Sequence, residues 1–437
     1  MSNKEGTSGK HGDGRPLVPR LRFPEFLGAG EWTTPKLEEI SVPINERVGA
    51  RRLTPVSISA GIGFVPQSEK FGRDISGNQY RLYTVVRDGD FVYNKGNSLK
   101  FPQGCVYDLQ DWSEVAAPNV FICFRLDSGY ENGFFRYCFE KNIHGLQLKK
   151  HITSGARSNG LLNISKDAFF GIKIPTPKRA EQQKISDFLT YLDDLITLEA
   201  QKLCALKTHK KGLMQQLFPA EGETVPRLRF PEFRGAGEWK STRLDELLFG
   251  HPDYGVNAPA VPYSEDLPAY LRITDISDEG YFLCDKKASV AINVTDENYL
   301  SEGDIVLART GASVGKSYKF RKEDGKLVFA GFLIRIKPDP KKIDSTFLFN
   351  FLSTQQYWKW VGVTSARSGQ PGINGNEYAS LPIPVPPHET ELSEQQKIAN
   401  CLTSLDDLIA AQAQKVEALK THKKGLMQQL FPKLEEV

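Results

Sequence analysis

The residues best suited to chemistry in this chain lie in one run, Arg309 to Lys322, RTGASVGKSYKFRK, with five basic side chains (Arg309, Lys316, Lys319, Arg321, Lys322) and no acid. Its centre, Gly311 to Ser317, imitates a phosphate-binding loop. Three residues separate its glycines where that loop needs four, so fewer backbone amides can converge on a phosphate, and nucleotide binding is not expected. A second basic stretch, Lys141 to Arg157, carries Lys141, Lys149, Lys150, Arg157, His144 and His151, again without an acid. Lys and Arg neutralise phosphates, while Arg, Asn, Gln, Thr and Ser can read base edges. The candidate nucleic-acid contacts are therefore Lys95, Asn97, Lys100, Lys149, Lys150, Arg157 and Asn159, and then Arg309, Thr310, Lys316, Lys319, Arg367 and Gln370. The plain alternative for each is a solvated loop side chain.

Other catalytic patterns fail on spacing. Pro252-Asp253 with Asp285-Lys286-Lys287 has the residue types of a nuclease carboxylate-lysine site, but so loose a pattern arises by chance in any chain rich in both charges. Gly28-Ala29-Gly30 and Gly235-Ala236-Gly237 lack a preceding strand and the third glycine of a dinucleotide fingerprint, so they read as turns. There is no paired-His metal motif, no G-x-S-x-G and no Asn-Pro-Pro-aromatic tetrapeptide of amino-methyltransferases. No catalytic residue, metal ligand or cofactor is expected. The net charge of +3 is too small to argue for nucleic acid, so any basic surface must be local. No apolar run approaches the ~18 residues of a membrane helix. The start, SNKEGTSGKHGDG, is polar, and the six cysteines show no C-x-x-C spacing. Reduced thiols in a cytoplasm are expected.

The elements that must position the basic loops come in duplicate. Glu181 to Pro219 recurs at Glu394 to Pro432 with 30 of 39 positions identical. Stepping by four and three from Ile185 gives Leu189, Leu192, Ile196, Glu199, Leu203, Leu206, Lys210, Leu213 and Leu217, a coiled-coil seam. The copy gives Ile398, Leu402, Leu405, Ile409, Gln412, Val416, Leu419, Lys423, Leu426 and Leu430. VPRLRFPEFLGAGEW at Val18 to Trp32 likewise recurs at Val225 to Trp239, with 14 of 15 positions identical. The chain is a tandem duplication.

Between the constant segments lie two divergent blocks with shared landmarks. Gly89-Asp90-Phe91-Val92 answers Gly303-Asp304-Ile305-Val306, Ala156-Arg157-Ser158 answers Ala366-Arg367-Ser368, and Ile174-Pro175-Thr176-Pro177 answers Ile383-Pro384-Val385-Pro386. Runs such as YTVVRDGDFVYNK, NVFICFRL, GDIVLART and LVFAGFLIRI predict strands, and FFRYCFEKNI and FLFNFLSTQQYWKWV predict helices. Leu37 to Ile40 and Leu244 to Leu247 predict a short first helix in each copy. The expected fold is α+β: a tail at 1–17, a strand-rich domain at 18–180, a helix at 181–219, a linker and second strand-rich domain at 220–393, a helix at 394–432, and a tail at 433–437.

A helix of about 38 residues is ~57 Å long, and a compact second domain must return the chain from the end of one helix to the start of the other. Antiparallel pairing is therefore favoured, with the domains at opposite ends about a pseudo-twofold axis. That register puts Glu199 opposite Gln412, where a buried polar contact would fix alignment; the alternative is that both face solvent.

The alternation of two variable with two constant blocks, the GDIVLARTGASVGK run, the INGNEYASLPIPVPP stretch and the EQQKI helix openings together resemble the specificity subunit of a type I restriction-modification enzyme, from about Val18 to Pro432. The resemblance implies a non-catalytic DNA-recognition subunit. Each variable block would be a target-recognition domain for one half of a bipartite double-stranded DNA site, and the helices a ruler and docking surface for two methyltransferase subunits, with restriction subunits outside. S-adenosylmethionine, ATP and magnesium would belong to those partners. The first block has YNKGNSLKFPQG in place of the ARTG-type run. From the rod length, the half-site centres should lie ~10 to 16 base pairs apart. Two rivals are a coiled-coil adaptor that binds only proteins, which leaves the basic Gly-rich loops unexplained, and a self-contained modification enzyme, which lacks the cofactor motifs.

Overall fold

The computed structural model describes residues 17–96, 101–152, 162–366, 369–388 and 391–432, apart from the Lys286 side chain. The two expected tails lie almost wholly outside this range. The chain divides into two compact units, residues 1–199 with 415–437, and residues 200–414.

The first unit is built on an antiparallel sheet in the order Ser41–Pro43, Ile122–Leu126, Phe91–Asn94, Cys105–Asp108. These are the β-branched and aromatic runs of the sequence, and their inner faces are almost wholly buried. Helix Asn132–Glu140 covers the sheet with Phe134, Phe135, Tyr137 and Phe139. The second unit repeats the order with Asp253–Tyr254, Leu333–Ile336, Ile305–Ala308 and Ser317–Lys319. It adds a further four-stranded sheet, in which Ala269–Leu271 runs parallel to Leu327–Phe329.

The shared Gly-Asp landmark is a structural device. Gly89 (φ +80°) and Gly303 (φ +89°) hold the left-handed turn before the central strand, a conformation cheap only for glycine. The next carboxylate closes the turn: Asp90 accepts from the Arg87 amide at 2.7 Å and Asp304 from the Ser301 amide at 2.9 Å. Each is also met by an arginine, Arg125 Nε at 2.6 Å from Asp90 and Arg335 Nη1 at 3.6 Å from Asp304.

Two sequence expectations are corrected. FLFNFLSTQQYWKWV is two helices, Ser345–Phe351 and Gln355–Thr364, because the Thr354 hydroxyl caps the second by accepting from the Tyr357 amide. Leu244–Leu247 is a 3₁₀ turn, although Leu37–Ile40 is α-helical.

The long helices span Arg179–Leu217 and Glu391–Leu430. Both begin slightly before the expected glutamates, since only the upstream prolines bar the helix, and the first ends at Leu217 because Pro219 disfavours helical Phe218. In each unit the start of one helix lies beside the end of the other. In the first unit Asp193 faces Lys423 (2.8 Å) and Glu199 pairs with Lys415, so the two segments run in opposite directions. In the second unit Lys210 reaches both oxygens of Asp406 at 2.7 Å, and Leu217 shares a core with Ile398 and Leu402. The lysines that interrupt the apolar seam thus have carboxylate partners.

The apolar and central polar seam positions are all at least partly buried. Ile185, Leu189, Leu192, Val416 and Leu430 are buried in the first, and Ile196, Glu199, Leu419 and Leu426 half-buried. In the second, Leu217, Ile398, Leu402 and Gln412 are buried, and Leu203, Leu206, Leu213, Leu405 and Ile409 half-buried. No helix among the described residues is long and apolar enough to cross a membrane.

The constant box ties each sheet domain to its helices. In the first unit Arg22 holds Glu181 through Nε (2.8 Å) and Nη2 (2.7 Å), and gives Nη1 to the Gly30 carbonyl. In the second unit Arg229 does the same to Glu394 and Gly237. The ends of the helices close these cores: Phe431 packs on Trp32 and Phe134, and Phe218 on Trp239 and Phe347.

Candidate nucleic-acid interface

In the second unit the strand Ile305–Ala308 delivers Arg309 and Thr310 into a loop braced on every side. The Tyr378 hydroxyl donates to the Ala308 carbonyl (2.8 Å), and the Ile373 amide to the Arg309 carbonyl (2.9 Å). The Gly311 amide donates to the Pro371 carbonyl (3.0 Å) and the Tyr357 hydroxyl to the Gly315 carbonyl (2.7 Å). The bonds from Ile373 and to Pro371 lay Arg309 to Gly311 antiparallel to Pro371 to Ile373. They bring Gln370 over Gly311, where any Cβ would stand 3.1 Å from its Nε2. Arg309, Thr310 and Gln370 therefore form one surface, with exposed Phe332 adjoining, since the Arg309 amide donates to the Phe332 carbonyl. Half-exposed Tyr254 completes it, its ring 4.9 Å below the Arg309 guanidinium.

The imitation phosphate loop is not a phosphate cradle. Gly311–Ser313 is a 3₁₀ turn and Ser317–Lys319 a strand, so no helix N-terminus aims its amides at the loop. Lys316 is engaged by Asp278. Lys319 is half-buried, donates to the Thr346 hydroxyl (2.7 Å), and has its pKa lowered chiefly by burial. Neither shares the Arg309 surface in the way Thr310 and Gln370 do. Arg321 lies on the Tyr281 ring at 4.0 Å. Asp253, the first residue of the nuclease-like pattern, is bound by Arg335.

In the first unit Lys95 stands where Arg309 stands in the second, one residue past the central strand, with the Leu162 amide donating to its carbonyl (2.8 Å). Lys149 and Lys150 are exposed on a 3₁₀ turn after helix Ile143–Leu148. Asn97, Lys100, Arg157, Asn159 and Arg367 lie outside the described residues. Among those described, no group of three His, Cys, Asp or Glu side chains could hold a metal ion, and all six cysteines are free thiols.

Tyr254, Phe332 and the tyrosine braces were not legible as site residues in the sequence. Tyr254 reaches Arg309 only because its strand pairs with Leu333–Ile336, which in turn pairs with Ile305–Ala308. No short-range pattern encodes that three-strand relation.

The chain as a whole is similar to known proteins. The type I restriction modification DNA specificity domain matches residues 113–208 and 266–421. The chain is 26% identical over 304 residues to the type I restriction enzyme MjaVIII specificity subunit of Methanocaldococcus jannaschii, covering 66% of this chain and 68% of that one. It is 24% identical over 311 residues to the putative MjaX specificity subunit of the same organism, covering 68% of this chain and 65% of that one. Among solved structures, the S subunit of a type I restriction-modification system from M. genitalium superposes with a TM-score of 0.55 at 13% identity, over 96% of this chain and all of that one. A chain from a study of complex assembly and conformational transition in the type I system gives 0.54 at 16% identity, over 92% and 97%. The mixed helix-and-strand fold is thus shared with these structures. With the family's domain matched over more than half its length, the chain belongs to the DNA specificity subunits of type I restriction-modification systems, which recognise the DNA target and are not themselves catalytic.

Proposed function

We propose that this chain reads a bipartite, asymmetric double-stranded DNA target, one half-site per recognition domain, and scaffolds two methyltransferase subunits with restriction subunits added outside them. The observation that carries this reading is the pairing of one frame with unlike readers. Both units repeat the same sheet order and the same strap across the end of the central strand. At the residue the strap holds, one has Lys95 and the other Arg309. A common frame with different side chains at its tip suits two half-sites of different sequence. The repeated clasps, Arg22 with Glu181 and Arg229 with Glu394, suit two copies of one partner.

On this reading the long helices form an antiparallel coiled coil about a pseudo-twofold axis, with Glu199 and Gln412 near its centre, and act as the ruler between half-sites. The opposed ion pairs inside each unit support that direction. The DNA contacts come from Lys95, Asn97, Lys100, Lys149, Lys150, Arg157 and Asn159 in the first domain, and from Arg309, Thr310, Arg367 and Gln370, with Lys316 and Lys319 behind them, in the second. S-adenosylmethionine, ATP and magnesium are the partners' cofactors, and the assembly works in the cytoplasm. The test is selection from a randomised duplex pool by the full chain with its methyltransferase partner. Two unlike half-sites separated by an unread spacer are expected, with affinity falling steeply as salt rises. A single contiguous site, or no sequence preference, would overturn the reading.

A further inference from the structure

We propose that Arg309 is the side chain by which the second unit recognises a guanine, and that Tyr254 is its positioning residue. This rests on the reading of that unit as a DNA-recognition domain.

An arginine selects guanine when its guanidinium is held so that two N–H groups point together at the O6 and N7 acceptors of the base edge; a loosely held arginine serves a phosphate equally well. Arg309 is of the held kind at both ends. Its backbone is fixed by the bonds from Ile373 and to Phe332, and the strand residue before it by Tyr378. Its guanidinium stands over the Tyr254 ring, 4.9 Å from the ring centre, a cation–π contact that favours this position of the head group. Tyr254 is itself anchored, because its hydroxyl accepts from the Gly375 amide at 2.9 Å at the start of a capped helical turn. Among the described residues the only acceptor that the guanidinium reaches is the Gly331 carbonyl, 3.5 Å from Nη1, which leaves Nε and Nη2 for a ligand. Of the other cations of this run, Lys316 is tied to Asp278, Lys322 to Glu302, and Lys319 is half-buried against Thr346. Arg321 also lies on a tyrosine ring, that of Tyr281, but it follows Lys319, which pairs with Ile305 at the opposite end of the central strand from Arg309. Thr310 and Gln370 flank Arg309 with groups that can serve either a neighbouring base edge or the backbone. The first unit has Lys95 at the corresponding place, a compact charge without the planar fork, so the guanine-specific geometry belongs to one half-site only.

The experiment compares variants of the full chain, each with its methyltransferase partner, by selection from a randomised duplex pool. The wild type should give one half-site containing an invariant guanine. Arg309→Ala should make that single position degenerate, lowering guanine preference on the order of 10- to 100-fold, with every other position unchanged. Arg309→Lys keeps the charge and should lose the preference nearly as fully, whereas a phosphate contact would tolerate it. Tyr254→Leu should weaken the preference and Tyr254→Phe, which keeps the ring, should retain most of it. Circular dichroism and thermal unfolding identify any variant that fails to fold, and Arg309→Lys, the least disruptive, then decides. A uniform loss of affinity with an unchanged motif, a motif unaltered by Arg309→Lys, or a half-site without guanine overturns the inference alone. Absence of any bipartite motif in the wild type overturns the reading beneath it.

Discussion

Removing Glu394 should leave the Arg229 guanidinium buried with an uncharged partner alone, and the cost follows from how thoroughly the pair is enclosed. The two side chains are 5% and 1% exposed and joined by two bonds of 2.7 and 2.8 Å. In Glu394→Ala, among the described residues, only the Gly237 carbonyl still accepts from Arg229. An orphaned buried charge of this kind costs about 3–5 kcal/mol, a large share of the roughly 5–15 kcal/mol that holds a typical domain folded. Replacing both members by apolar residues, Arg229→Met with Glu394→Leu, should be close to neutral, because the desolvation of two charges is then avoided. The copy in the first unit supplies an internal control. There Glu181 also takes the Trp32 indole N–H at 3.4 Å, whereas the Trp239 indole N–H has no partner among the described residues. Glu181→Ala should therefore orphan the Trp32 indole as well as the Arg22 guanidinium, adding about 1 kcal/mol to the loss. Denaturant unfolding of the full chain, followed by tryptophan fluorescence and circular dichroism, measures all three. A double variant as unstable as the single one, or a single variant losing under about 1 kcal/mol, would refute the reasoning that these clasps are charge-compensated cores.

The seam lysines should differ in the same assay. Lys423, with a side chain 10% exposed and two carboxylates, Asp193 and Glu140, should cost more to truncate than Lys210, 21% exposed with Asp406 alone; equal losses would contradict this. His144 is almost fully buried, and desolvation, outweighing its contact with the Gly104 carbonyl, pulls its pKa down to about 4. Because the unfolded chain takes up this proton near pH 6.5 and the folded one near 4, stability of the first unit should be unaffected above pH 6.5. It should fall by up to about 1.4 kcal/mol per pH unit between those values. His144→Phe should flatten that slope, as read from thermal unfolding at pH 7 and 5. Gly315→Ala places a Cβ 2.8 Å from Val361 at φ +88°, which costs roughly 1–2 kcal/mol in backbone strain alone. It should weaken reading of the second half-site while sparing the first, seen in the selected motifs.

Much of the frame was readable because it is written in short-range patterns and then written twice. The heptad spacing from Ile185 and the proline-flanked openings define the long helices, and the β-branched runs define the central strands. The duplication did not show which of the repeated residues matter to the frame: most positions of the constant segments recur, and the clasps of Arg22 with Glu181 and Arg229 with Glu394 join residues 159 and 165 positions apart. The site was less legible. Charge count singled out Lys316 and Lys319 as strongly as Arg309, yet Asp278 and Thr346 engage the first two within the unit. Those partners are distant in sequence, so composition cannot tell an engaged lysine from an available one. Tyr254 was missed for the same reason, because its place under Arg309 depends on the pairing of three strands. The helix break at Thr354 follows a local rule, a threonine cap, that the sequence carries in Ser353-Thr354.

The central claim is that two matching helices set the distance between two unlike half-sites. Its most direct test is the insertion of four residues, one helical turn or ~6 Å, at matching positions of both long helices, followed by sequencing of the motif methylated by the assembled complex. The account predicts unchanged half-sites separated by a spacer one to two base pairs longer, about 3.4 Å each. An active complex with the original spacer would contradict it.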